Sequence, residues 1–286
     1  MSKKAIVLEG GALRCLFTAG VMDAFMEESL TADGVFGVSA GALTGTDLVA
    51  GQPGRTAKVN LGYVNDKRYL GMGNLLRRKG IFNFDFLFGE ICETLVPLDK
   101  NALLASPMEF TAVVTNCLTG EPVYCEKNHC EDIYAAIRAS ASMPLLSPMV
   151  QVEGVPCLDG GVSVSIPYQK AIDEGYDKIL VVTTREHGYR KPPVPRAAAK
   201  LYARFYRKYP VLVRSILNTP RRYGKELLEI DKLEAAGKIF VIRPPKPVDV
   251  SRTEKSVEKL QALYDEGAET FRQKLEAFRR YWEEED

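Results

Sequence analysis

The chain has 286 residues, 46% of them hydrophobic and 26% charged, with a formal net charge of +1. A chain of this size buries a large core without disulfides or metals, and its charge balance gives no general attraction to a polyanion such as nucleic acid. The longest uncharged run, Ala139 to Val152, carries Pro144 and Pro148 and falls short of the ~18 residues that span a bilayer.

The first residues, Met-Ser-Lys-Lys-Ala-Ile-Val-Leu-Glu, hold too short an apolar run for a signal peptide. Lys4 to Leu8 reads as a buried strand closed by Gly10-Gly11. Leu16 to Leu30 has helical apolar spacing, Val35 to Val38 is a second short strand, and Ala40 to Ala50 is a helix of small residues. Strand, glycine loop, helix, strand, tight turn and helix predict an α/β fold with a parallel sheet. Met108 to Thr115 and Pro122 to Cys125 read as further strands, joined through the turn signal Thr119-Gly120. Glu131 to Ala141 reads as a helix, and Ile166 to Glu174 as a short helix that Pro167 opens. Lys178 to Thr184 and Ile239 to Ile242 are apolar strands, and Glu254 to Trp282 a long amphipathic helix with Gly267 as its weak point. Arg185 to Arg222 holds eleven Lys or Arg and one acid, Glu186.

The six cysteines, Cys15, Cys92, Cys117, Cys125, Cys130 and Cys157, form no C-x-x-C pair. They read as free thiols in a reducing compartment, hence a cytoplasmic protein. Cys125, His129 and Cys130 match no usual zinc spacing and lack a fourth ligand, so no metal is expected.

Gly37-Val38-Ser39-Ala40-Gly41 is G-x-S-x-G, placed after a strand and before a helix. At such an elbow the serine backbone is strained, the flanking Gly37 and Gly41 let strand and helix approach, and the hydroxyl stands clear of the sheet. Gly10-Gly11-Ala12-Leu13-Arg14 follows the first strand and opens a helix. Consecutive small residues there can aim several N–H groups at one point, which suits a phosphate or a developing oxyanion. The Gly-Lys-Ser/Thr ending of a phosphate-binding P-loop is absent. Arg14 either adds a fixed positive charge or pairs with a carboxylate. Asp159-Gly160-Gly161 follows the apolar Val155 to Leu158, and an Asp before two glycines is by itself a common turn. The order Ser39, Asp159, His187 is also that of α/β-hydrolase triads, so a His187 triad is an alternative; His129 lies in a polar loop.

Taken together, Glu9 to Arg14, Gly37 to Gly41 and Asp159 to Gly161 resemble the three sequence blocks of patatin-like phospholipases. The resemblance implies a three-layer α/β/α fold around a mostly parallel sheet, with residues 1–222 as the catalytic domain. Residues 223–286 would add a strand and a long helix, packed on that domain or extending it. It further implies an ester hydrolase without metal or organic cofactor, in which Ser39 and Asp159 form a dyad. Gly10, Gly11, Ala12 and Arg14 would form the oxyanion hole, with Gly37, Gly41, Gly160 and Gly161 supporting the turns. Ala12 stands where a third glycine is common, which leaves the hole intact if its φ is negative. Cys15 stands where a glycine often follows the arginine, and either narrows the site or merely starts a helix.

The implied substrate is a lipid acyl ester. A soluble esterase or thioesterase using the same dyad, and a catalytically silent lipid-binding protein, are the alternatives. Arg196 to Tyr209 places basic residues on one helical side and Leu201, Tyr202, Phe205 and Tyr209 on another. That pattern suits peripheral contact with an anionic membrane, or a solvated helix packed on the core. Lys67 to Pro97, with glycines among aromatic and basic residues, is the expected cover of the site. The oligomeric state is not encoded in any of these features.

Overall fold

The computed structural model describes residues 2–77 and 79–284. Met1, Glu285 and Asp286, at the ends of the two units expected from the sequence, and Arg78, inside the expected cover, lie outside the described residues. The strands are β1 Lys4–Leu8, β2 Gly34–Val38, β3 Glu109–Asn116, β4 Pro122–Glu126, β5 Val150–Val152, β6 Val155–Asp159, β7 Lys178–Val182 and β8 Phe240–Ile242. The helices are α1 Cys15–Glu27, α2 Ala40–Val49, α3 Arg55–Tyr63, α4 Met72–Leu76, α5 Phe84–Phe86 (continued by a π-helix, Leu87–Leu95), α6 Lys100–Ala105, α7 Ile133–Ser140, α8 Tyr168–Asp173, α9 Arg196–Phe205, α10 Pro210–Ala235 and α11 Val257–Glu283.

The strands form one mixed sheet whose central run β3-β2-β1-β7-β8 is parallel. These strands are short, apolar and buried on both faces, the pattern a helix-covered parallel sheet requires. Alternation sets the two faces. In β1, Ile6 and Leu8 pack with α1 and α11, while Ala5 and Val7 pack with α8 and α10. The result is the three-layer α/β/α architecture the resemblance implied. A third apolar cluster, including Leu158, Val162, Tyr206, Leu212 and Ile216, joins the end of β6 to the start of α10.

The register around β3 decides where the site forms. Val113 pairs with Val38 of β2 and with Tyr124 of β4, so β2 and β4 take opposite edges. Thr115 pairs with Leu158 of β6 and again with β4, at Pro122. β2 and β6 therefore share one edge of β3 and run toward each other end to end. Val38 lies opposite Val113, and Asp159 opposite Val114.

Several elements differ from the sequence reading. The segment read as one helix from Arg196 to Tyr209 breaks after Phe205, and α10 begins at Pro210 and runs unbroken past residues 222 and 223 with Pro220 inside it. Strand β5 was not legible, because Val150–Val152 is only three residues long and closes a proline-bearing apolar stretch. Gly267 is not a weak point of α11. It is where α11 crosses α1: a Cβ there would lie 2.1 Å from the Phe17 carbonyl oxygen, and one at Gly20 would lie 2.0 Å from that of Tyr264. Gly267→Ala should lower the unfolding free energy by about 1–3 kcal/mol through overpacking, despite the ~1 kcal/mol that alanine gains over glycine in a helix interior. Urea denaturation measures this, and a stabilised variant would contradict the close crossing.

Candidate active site

Ser39 occupies the single residue between β2 and α2, with φ +56° and ψ −126°. A non-glycine residue there costs on the order of 1–3 kcal/mol, and the surrounding packing holds it. A Cβ at Gly41 would fall 2.4 Å from the Leu8 carbonyl oxygen, and one at Gly37 would fall 2.6 Å from Cα of Ala42. Both glycines are thus required for strand and helix to meet.

Asp159 is the last residue of β6, and its carboxylate does two things at once. Oδ1 accepts the N–H of Gly161 at 2.8 Å, which is turn chemistry. Oδ2 accepts the Ser39 hydroxyl at 2.7 Å. Gly160 is obligatory, because a Cβ would lie 2.2 Å from the Val113 carbonyl oxygen. Burial pushes the Asp159 pKa up, against the lowering effect of the bonds from Ser39 and Gly161.

Ser140, at the end of α7, was missed by sequence reasoning, since a serine at a helix end carries no signal. It is fully buried. Its Oγ accepts the Ser39 N–H at 2.8 Å and donates to the Val113 carbonyl at 2.6 Å. It thereby carries the β2–β3 hydrogen bonding through the elbow. Thr115 Oγ1 donates to the Asp159 carbonyl at 2.8 Å and ties the other converging strand to the same β3.

The glycine loop lies against Ser39: a Cβ at Gly10 would lie 2.8 Å from Cβ of Ser39. Among the described residues no acceptor takes the N–H groups of Gly10, Gly11 and Ala12, and all three residues line the cavity at Ser39. The φ of Ala12 is +49°, not the negative value on which the sequence reading made the hole depend. The loop adopts this conformation with an alanine, whose methyl is the smallest side chain to bear the strain. Arg14 is buried, its Nε reaches no acceptor, and it forms no ion pair among the described residues. Burial lowers its pKa to about 10, with Arg185 and Arg252 adding repulsion. Cys15 starts α1, does not line the cavity, and has its thiol pushed up to about 12 by burial; it is a helix-start residue.

Ser39 and Asp159 open into a cavity of about 620 Å³ at the carboxyl ends of the parallel strands, where α/β sheets bind ligands. Its outer wall is not Lys67 to Pro97. None of the described residues of that segment lines it. The wall comes from the loop after β7, from α9 through Ala198 and Tyr202, and from the start of α10. The segment 67–97 backs the inner loop, residues 141–149 between α7 and β5, through the bond from Ile81 N–H to the Leu146 carbonyl. The sequence missed Glu9, Arg185, Tyr189, Lys191 and Arg252, which also line the cavity. The excess of basic residues after Arg185 was the one available sign.

His187 is exposed and its Nε2 lies 3.5 Å from Asp231, away from Ser39. His129 is exposed beside Glu126. Among the described residues no three His, Cys, Asp or Glu side chains gather into a metal-binding group. All six cysteines are unpaired.

A sheet with a serine elbow facing a buried aspartate, beside a loop of free N–H groups, is the arrangement that the resemblance to patatin-like phospholipases implied. The chain belongs to the patatin-like phospholipase family, whose model matches residues 6–172; a second model, a domain of unknown function, matches residues 209–283. The chain is 28% identical to the uncharacterized protein YjjU of Escherichia coli, over 85% of this chain and 69% of that protein. It is 25% identical to an uncharacterized NTE family protein of Mycobacterium tuberculosis, over 73% of this chain and 57% of that protein. The solved structure of VipD from Legionella pneumophila shares the fold, with a TM-score of 0.54 at 14% identity, covering 97% of this chain and 67% of that one.

Ser140→Ala would leave the Ser39 N–H and the Val113 carbonyl unpaired in the core. The expected loss of stability is about 1–3 kcal/mol, read as a lower urea midpoint with an unchanged m-value. A variant as stable as the parent would remove Ser140 from the frame of the elbow.

Proposed function

We propose that the protein is a lipid acyl hydrolase that cleaves carboxylic esters through an acyl-enzyme on Ser39. The observation that carries this reading is the 2.7 Å hydrogen bond from Ser39 Oγ to Asp159 Oδ2, buried at the base of a cavity whose glycine loop offers unoccupied N–H groups. Asp159 accepts the hydroxyl proton as Oγ attacks the ester carbonyl. The N–H groups of Gly10, Gly11 and Ala12 stabilise the oxyanion, and the buried charge of Arg14 adds to the field there. The tetrahedral intermediate collapses, the C–O bond to the alcohol breaks, and the proton held by Asp159 passes to the departing oxygen. Water then loses a proton to Asp159, attacks the acyl-enzyme and releases the carboxylic acid, and Ser39 recovers its proton. The elevated pKa of the buried aspartate makes it a stronger base than an exposed one.

Substitution and pH dependence test this together. Ser39→Ala should abolish both ester hydrolysis and labelling by a fluorophosphonate. Asp159→Asn should lower kcat by roughly 10²–10⁴, the usual contribution of a general base. Activity requires ionised Asp159, so kcat/KM should rise with pH along one acid limb, with a midpoint above the ordinary value of about 3.9. His187→Asn should leave that limb in place; a collapse of activity in this variant would restore the triad.

The reading extends to where the protein works. Beside the cavity wall, Leu201 is 52% and Phe205 65% exposed on α9, with Lys200, Arg204, Arg207 and Lys208 around them. No described helix is long and apolar enough to cross a membrane. An exposed apolar ridge in a basic field supports peripheral docking on an anionic bilayer, and six unpaired thiols support a cytoplasmic setting. Co-sedimentation should show binding to vesicles containing phosphatidylglycerol over pure phosphatidylcholine. Leu201→Glu with Phe205→Glu should lower that binding at least tenfold, and equal binding by this variant would rule the ridge out.

A further inference from the structure

The cavity has two unlike ends, and the sheet order explains them. On the β6 side its wall is apolar: Leu145, Val162, Tyr202 and Ile216 belong to the cluster at the start of α10. On the other side four cations line it. Arg14 follows β1, Arg185 follows β7, Lys191 lies in the loop beyond, and Arg252 lies in the segment after β8. Ser39, at the end of β2, stands between the two ends.

None of the four cations forms a direct ion pair with another described residue. Glu9 and Asp159 in the cavity, and Glu226 behind it, act on Arg14, Lys191 and Arg252 only at longer range, and the two cavity carboxylates spend their hydrogen bonds on other groups. Asp159 is held by Ser39 and Gly161, and Glu9 Oε2 accepts the Thr184 N–H at 2.6 Å. Burial also pushes Glu9 upward, which weakens it as an anion. Arg14 is only 8% exposed and its Nε has no acceptor, an arrangement that costs free energy until a ligand supplies one. Arg252 lies within electrostatic reach of Asp159, Arg14 and Lys191. Its side chain is exposed and has no hydrogen-bond or ion-pair partner among the described residues.

Aromatic rings hold two of the cations in place. Lys191 Nζ sits 4.1 Å from the centroid of the Tyr223 ring, and the Arg185 guanidinium 4.6 Å from that of Tyr189. Both rings thus already face one of the protein's own charges.

We propose that Arg185, Lys191 and Arg252, with Arg14, form a subsite for a phosphate ester on the alcohol side of the substrate, while the acyl chain lies along Leu145, Val162, Tyr202 and Ile216. The protein thereby selects anionic acyl esters over neutral and zwitterionic ones. This rests on the hydrolase reading for the identity of the reacting bond, but the subsite itself is tested without turnover.

The measurement is calorimetric titration of Ser39→Ala protein with three monomeric lipids of one chain length: lauroyl glycerol 3-phosphate, lauroyl glycerol and lauroyl glycerophosphocholine. The phosphate monoester should bind at least tenfold more tightly than the other two. Lys191→Gln and Arg252→Gln, each added to Ser39→Ala, should erode that preference several-fold, and Arg252→Lys should restore it. Arg252 is exposed, so its variants test the subsite even if Lys191→Gln fails to fold. Equal affinity for the three lipids, or a preference untouched in the Arg252→Gln background, overturns the proposal. Glycerol 3-phosphate and inorganic phosphate should bind weakly and compete with the anionic lipid; either binding as tightly as the lipid overturns a substrate subsite in favour of a free-phosphate site. A wild-type protein that binds the anionic lipid but hydrolyses none of the three fails the hydrolase reading alone.

Discussion

The site depends on two strands sharing one edge of a third. β2 arrives parallel to β3 and β6 arrives antiparallel to it, and they meet head to head beside Val113 and Val114. Their last side chains are carried into contact by backbone hydrogen bonding that is itself part of the sheet core. The Ser39–Asp159 hydrogen bond therefore does not rely on a flexible loop for its geometry. Ser140 and Thr115 fasten the two strand ends to β3 from either side of the junction, and Gly160 lets the chain turn away against the Val113 carbonyl.

This junction gathers costs that a core normally avoids. Ser39 and Ala12 both have positive φ, Asp159 and Glu9 are buried carboxylates with raised pKa, and Arg14 is buried with an unpaired nitrogen. Sites of strain and perturbed ionisation cluster where chemistry is done. Here they lie within one cavity, while the rest of the sheet is ordinary apolar packing. On the proposed mechanism each cost has a use: strain exposes the hydroxyl, burial strengthens the base, and the unsatisfied groups await negative charge from substrate.

The covering wall comes from the segment richest in positive charge. The loop after β7, α9 and the beginning of α10 form the outer wall of the cavity, with Tyr206 Oη accepting the Leu145 N–H at 2.8 Å to hold α9 over the inner loop. One side of α9 faces the cavity through Ala198 and Tyr202, and another leaves Leu201 and Phe205 in solvent. The same short helix thus adjoins both the proposed acyl channel and the proposed membrane surface.

Much of this protein was determined by local sequence. Short apolar runs between glycine turns specify the parallel strands, the G-x-S-x-G spacing specifies the elbow, and Asp-Gly-Gly specifies a turn that leaves one carboxylate oxygen free. These are properties of a few consecutive residues, so they are legible without neighbours. The pairing of Ser39 with Asp159 was legible only through the family resemblance, because 120 positions separate the two and no local rule joins them. Tertiary structure alone decided the shared edge of β3, the bridging role of Ser140, the positive φ of Ala12, the close crossing at Gly267 and the identity of the cavity wall. Each of these is a contact between distant segments, and Arg252 shows the reason plainly: an arginine in a loop carries no mark of the pocket it faces until the sheet brings its strand beside the others.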